Sequence, residues 1–97
     1  MLESKFQSDL IKELKEIFPG CIVLKNDPTY LQGVPDLSLF WGKHWAMLEC
    51  KNYMSASKRP NQQYYVNKAD TMSFSRFICP ENRKEVIDDL QRAFGLK

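Results

Sequence analysis

Phe6, Leu10, Ile11, Leu14 and Ile17 recur at spacings of three and four, and that period predicts an amphipathic helix over residues 3–17. Pro19-Gly20 ends it, since proline lacks the amide a helix needs and glycine accepts the closing turn. Cys21-Ile22-Val23-Leu24 then reads as a short strand. Asn26-Asp27-Pro28 opens a loop that continues through Tyr30 to Gly33. From Asp36 to Trp41 the period becomes two: Asp36, Ser38 and Phe40 alternate against Leu37, Leu39 and Trp41. Gly42-Lys43 is the turn of a hairpin. The returning strand, Trp45 to Lys51, sets Ala46, Leu48 and Cys50 on one face and Trp45, Met47, Glu49 and Lys51 on the other.

Asn52 to Asn61 is a polar loop. A second helix begins at Pro60 or Asn61 and runs to about Met72, and a fourth strand spans Phe74 to Cys79, stopped by Pro80. Glu81 or Asn82 caps a last helix whose apolar face is Val86, Ile87, Leu90 and Phe94, with Gly95 at its end. The order is α-β-β-β-α-β-α, an α/β arrangement. No repeat, low-complexity tract or linker interrupts residues 1–97, so they make a single domain. The core of so short a chain is modest, and dimerisation would supplement it.

Composition narrows the class. Hydrophobic residues make up 43% of the chain and charged residues 27%, which fits an ordinary soluble globular protein. No apolar run approaches the ~18–20 residues that span a bilayer, and the N-terminus lacks the apolar stretch of a signal peptide. The expectation is an intracellular, cytoplasmic protein with no membrane partner. Cys21, Cys50 and Cys79 each fall in an apolar run, none has CxxC spacing, and the one histidine is His44. Buried, reduced thiols are expected rather than a zinc site. The net charge of +2 decides nothing, but its distribution does. Lys51, Lys58, Arg59 and Lys68 cluster with no acid between Lys51 and Asp70, a segment that suits a polyanion and otherwise reads as a solvated loop.

The candidate chemistry lies on the hairpin. Strand period two puts Glu49 and Lys51 on one side of their strand. A turn at Gly42-Lys43 brings Asp36 roughly opposite Glu49, so two carboxylates and a lysine converge at one end of the sheet. Mg²⁺ takes oxygen ligands, keeps several waters and often uses one or two carboxylates. Asp36, Glu49 and the backbone carbonyl of Cys50 would provide such a half-shell, with the Cys50 thiol turned into the core. Lysine beside such a pair would orient the attacking water and oppose charge building on a phosphate. Read blandly, Glu49 and Lys51 are an exposed strand pair and Asp36 a turn residue.

Glu3 in the first helix, Gly33-Val34-Pro35-Asp36-Leu37, Glu49-Cys50-Lys51 and Asn61-Gln62-Gln63-Tyr64-Tyr65 together resemble a PD-(D/E)xK nuclease, specifically a stand-alone, phage-type virus-type replication-repair nuclease (VRR-NUC) domain. The resemblance covers nearly the whole chain, which departs from many relatives in having Ser73-Phe74 where they have glycine. It implies a restriction-endonuclease-like core, a mixed four-stranded sheet flanked by helices, and Mg²⁺ or Mn²⁺ as cofactor. It also implies a homodimer acting on branched DNA such as Holliday junctions. Asp36 and Glu49 would be metal ligands and Lys51 the catalytic lysine. Glu3 would be the helix acid that binds metal directly or through water, with Asp9 the next choice. The glutamine after E-x-K would be Gln62, with Gln63 the alternative.

Lys25, Lys58, Arg59 and Lys68 are the candidate phosphate contacts. Tyr30, Tyr53, Tyr64 and Tyr65 would stack on unpaired bases or pack in the core or a dimer interface. Trp41 and Trp45 flank the turn as a clasp or a dimer patch, and His44 is expected as a surface histidine in the turn. Two other readings stay open: a nuclease acting on linear or single-stranded DNA, and a non-catalytic DNA-binding protein on the same fold.

Overall fold

The computed structural model describes residues 3–97, with side chains from Ser4 onward. The elements are α1 (Glu3–Ile17), β1 (Ile22–Lys25), β2 (Leu37–Trp41), β3 (His44–Cys50), α2 (Pro60–Met72), β4 (Phe74–Ile78) and α3 (Arg83–Ala93). Their order is the one that periodicity predicts, with strand ends displaced by about a residue. His44 is a correction. It opens β3 and pairs with Trp41, so the turn is Gly42-Lys43 alone. Gly42 has φ of 61°, a conformation that a side chain at the first position of so tight a turn would strain.

The strands lie in the order β1-β2-β3-β4. β2 pairs antiparallel with both β1 and β3, whereas β3 and β4 run parallel because α2 carries the chain back between them. The sheet is therefore mixed. Leu37 faces Leu48 and Leu39 faces Ala46, which gathers the apolar positions of the hairpin on one face. Phe6, Leu10 and Leu14 of α1 and Val86, Ile87 and Leu90 of α3 close over that face, and all are buried. Burying each such side chain stabilises the fold by about 1.5–3 kcal/mol, which is why three residues per helix suffice to dock it.

The opposite face is covered over only part of its width. α2 packs on β3 and β4 through Val66 and Ala69, but Ile22 and Leu24 of β1 and Phe40 of β2 remain exposed. Cys50 and Cys79 are buried and Cys21 is half-buried.

Asn82 is a second correction. It stands at the N-cap of α3 but makes no side-chain capping bond. Its Oδ1 accepts the Cys79 amide at 2.8 Å and its Nδ2 donates to the Phe77 carbonyl at 3.1 Å. β4 is an edge strand with backbone groups lacking a neighbouring strand, and those groups outbid the helix end for this side chain. No described helix is long and apolar enough to cross a membrane.

Candidate active site

Asp36 is the residue before β2 and Lys51 the residue after β3. Extending the Leu37–Leu48 pairing by one step sets Asp36 across from Glu49. The two strands then grip each other's acids. The Asp36 amide donates to Glu49 Oε1 at 3.1 Å, and the Cys50 amide donates to Asp36 Oδ2 at 2.9 Å. Each bond places a carboxylate by a backbone group, so side-chain position follows strand register.

Glu49 is only 3% exposed, an unusual position for a carboxylate, and its surroundings account for it. Oε2 accepts from Gln62 Nε2 at 3.2 Å and lies 3.8 Å from Lys51 Nζ. Lys51 Nζ in turn donates to Gln62 Oε1 at 2.8 Å. Gln62 thus bridges the acid and the lysine. It is held there by the start of α2, where its Oε1 also accepts the amide of Arg59, the N-cap residue, at 3.2 Å. Gln63, one residue on, is exposed. Burial pushes the Asp36 carboxyl above its ordinary range, an effect that the Cys50 amide and the Lys51 charge partly offset.

The two acids and Gln62 open onto a cleft of about 410 Å³, whereas Lys51 faces a separate, smaller pocket that it lines with Tyr53, Lys58 and Phe77. Asp36, Glu49 and Gln62 line the cleft, together with Thr29, Gln32, Gly33 and Val34 of the β1–β2 loop and Arg59 and Asn61 at the start of α2. Asn26 anchors the loop: its Nδ2 donates to the Pro35 carbonyl at 2.9 Å and to Ser38 Oγ at 2.8 Å. That contact explains why Ser38, on the polar side of the pattern, is buried. Gly33 holds φ of +93°, and a Cβ there would lie 2.8–2.9 Å from Asn61. The loop and helix therefore touch at a point that only glycine fits. Sequence reasoning did not single out Asn26, Thr29, Gln32 or the Gly33–Asn61 contact as site builders. The turn chemistry of Asn26-Asp27 and the lone Gly33 were the available signals.

The other expected residues fall in several places. Glu3 begins α1, and its carboxylate lies outside the described residues. Asp9 pairs with Lys5 at 3.2 Å along α1 and does not line the cleft. The Cys50 side chain is in the core, while its peptide amide is on Asp36. Arg59 lines the cleft, whereas Lys25, Lys58 and Lys68 do not. Lys58 lies over the Phe77 ring and Lys68 over the Tyr64 ring. His44 stacks on Phe94 at 5.0 Å, so it is bound into an aromatic cluster rather than displayed on a turn. Trp41 and Trp45 do not clasp each other. Trp41 pairs with His44 and Trp45 with Phe40, which sends the two indoles to opposite faces.

Among the described residues no three His, Cys, Asp or Glu side chains gather as a metal cluster. The donor set present is two carboxylates on one cleft, with Asp36 Oδ2 on the Cys50 amide. Hard oxygen donors with room for water fit Mg²⁺ or Mn²⁺ better than a softer metal. No protein-family model, no curated protein and no solved structure matches the chain.

Proposed function

We propose that this protein is a metal-dependent DNA endonuclease of the PD-(D/E)xK type, close to the VRR-NUC domains. It hydrolyses phosphodiester bonds in branched DNA, four-way junctions included, as a homodimer. One observation carries this reading. Asp36 and Glu49 line one open cleft, and Gln62, on the same cleft, ties the Lys51 ammonium behind them to the Glu49 carboxylate.

Asp36 and Glu49 would hold Mg²⁺ or Mn²⁺, with the Cys50 carbonyl as a further oxygen. Held there, such an ion would supply Lewis acidity to the hydrolysis. Lys51 donates to a phosphate oxygen and stabilises the charge that grows there during in-line attack. Gln62 fixes the lysine before substrate arrives, so little reorganisation is needed when the phosphate binds. Arg59, on the cleft wall, contacts a neighbouring phosphate, and Lys25, Lys58 and Lys68 extend the positive surface outward. A symmetric cut across a junction needs two sites and each chain carries one. The exposed Ile22 and Leu24 of the edge strand β1 and Phe40 of β2 support self-association.

The test is cleavage of an immobile four-way junction and a matched linear duplex, with Mg²⁺ or EDTA, by wild type and Asp36→Ala. Paired nicks in the junction that need Mg²⁺ and vanish in Asp36→Ala are expected. Equal cutting of linear duplex removes the preference for branches. Tight binding of both DNAs without cutting moves the protein to the non-catalytic class.

A further inference from the structure

One large side chain on the loop that walls the cleft has no use in the fold. Tyr30 is 90% exposed, more than any other large apolar or aromatic residue described. The loop that carries it is nonetheless well held. Thr29 donates to Asp27 Oδ1 through its amide at 2.9 Å and its hydroxyl at 2.6 Å. The Tyr30 and Leu31 amides reach back to the Asp27 carbonyl at 3.2 and 3.4 Å. Leu31 turns the other way, into an apolar groove beside Trp45 and Tyr65, and Gly33 seats against Asn61. Thr29 and Gln32, either side of Tyr30 in the chain, line the cleft with Asp36 and Glu49.

Tyr30 is thus an exposed ring on a cleft-wall loop whose backbone is already ordered. Little conformational freedom remains to be lost when a ligand lies on it. Arg59 lines the same cleft as Thr29 and Gln32. An aromatic face, a guanidinium and a floor of acids make the layout that a single nucleotide step fills: base on the ring, phosphate toward the cation. A base inside continuous duplex is covered on both faces by its neighbours and has no free face to give. A base at a branch or bulge has one.

We propose that Tyr30 determines specificity, by stacking on an unpaired base next to the scissile phosphate. The cleft then selects DNA with an unstacked nucleotide over continuous duplex. This inference rests on the nuclease reading above and adds to it the feature of the substrate that is recognised.

The experiment compares wild type, Tyr30→Ala, Tyr30→Phe and Tyr30→Trp on two DNAs of one sequence, a branched DNA with one unpaired nucleotide at the branch and a continuous duplex. Tyr30→Ala is expected to raise KM roughly tenfold or more on the branched DNA, with kcat little changed and duplex cutting unaffected. Tyr30→Phe and Tyr30→Trp restore the wild-type KM, because the ring and not the hydroxyl is used. A second readout needs no cleavage. With 2-aminopurine at the unpaired position, the Asp36→Ala protein quenches its fluorescence, and adding Tyr30→Ala abolishes the quench. Equal behaviour of wild type and Tyr30→Ala, an equal loss on both DNAs, or failure of Tyr30→Phe to restore KM overturns the stacking and leaves the nuclease standing. Wild type that cuts neither DNA overturns both.

Discussion

The β2–β3 hairpin ends in two different chemistries. At its turn, Trp41 and His44 pair across the strands and join Phe18 and Phe94 in an aromatic cluster. Phe18 lies 5.2 Å from Trp41 and 5.3 Å from Phe94, and Trp41 Nε1 donates to the Pro19 carbonyl at 3.0 Å. At the open end, Asp36, Glu49 and Lys51 are drawn together, and burial makes ionisation of Asp36 costly. The first end gains free energy from packing and one satisfied indole. The second keeps desolvated charges that packing alone would exclude. The contrast teaches that the site borrows its order. The turn and the aromatic cluster fix register, and register sets Asp36 across from Glu49.

The largest test of that division sets a residue from each end against the other. Lys51→Met should slow the proposed cleavage by at least about 10²-fold per folded molecule. Phe94→Ala should leave the rate per folded molecule nearly intact and remove about 3–5 kcal/mol of unfolding free energy. Single-turnover cleavage and urea unfolding read the two effects. A Phe94→Ala protein that is fully folded yet as slow as Lys51→Met would mean that the ends are not separable.

A smaller effect is expected where the cleft wall meets α2. Gly33→Ala should cost about 1–3 kcal/mol, since it combines a strained backbone with a Cβ pressed on Asn61. Gly20→Ala is the control beside the turn end, with φ of +83° and open space around the added carbon. It should cost the backbone part alone. Equal costs in urea unfolding would show that the Gly33–Asn61 contact yields freely.

The smallest effect has a definite sign. Because the Asp36 carboxyl is raised in the folded protein, the native state holds its proton at pH values where the unfolded chain has lost it. Stability from this group therefore falls as pH rises from the ordinary carboxylate range through the raised value. Asp36→Asn should unfold at a higher temperature than wild type above that window, and the gain should vanish below it. Thermal melts at pH 7.5 and at acid pH measure it. A lower melting temperature for Asp36→Asn at pH 7.5 would mean that the Cys50 amide and Lys51 outweigh burial.

Much of this was legible without coordinates. The 3.6-residue period of Phe6, Leu10 and Leu14, the alternation about Gly42-Lys43 and the stops at Pro19 and Pro80 are local signals, and they determine the elements, their order and which hairpin face is apolar. The Asp36–Glu49 juxtaposition follows from the same turn by counting. Tertiary structure decided what counting cannot reach. It chose Gln62 to touch Lys51, turned Asn82 from helix cap to strand-edge partner, seated His44 on Phe94, and pressed Gly33 against Asn61. Each of those contacts joins different elements, and its partner is selected by how helices and loops settle on the sheet. Periodicity reports which face of an element is buried, and packing alone reports what lies against it.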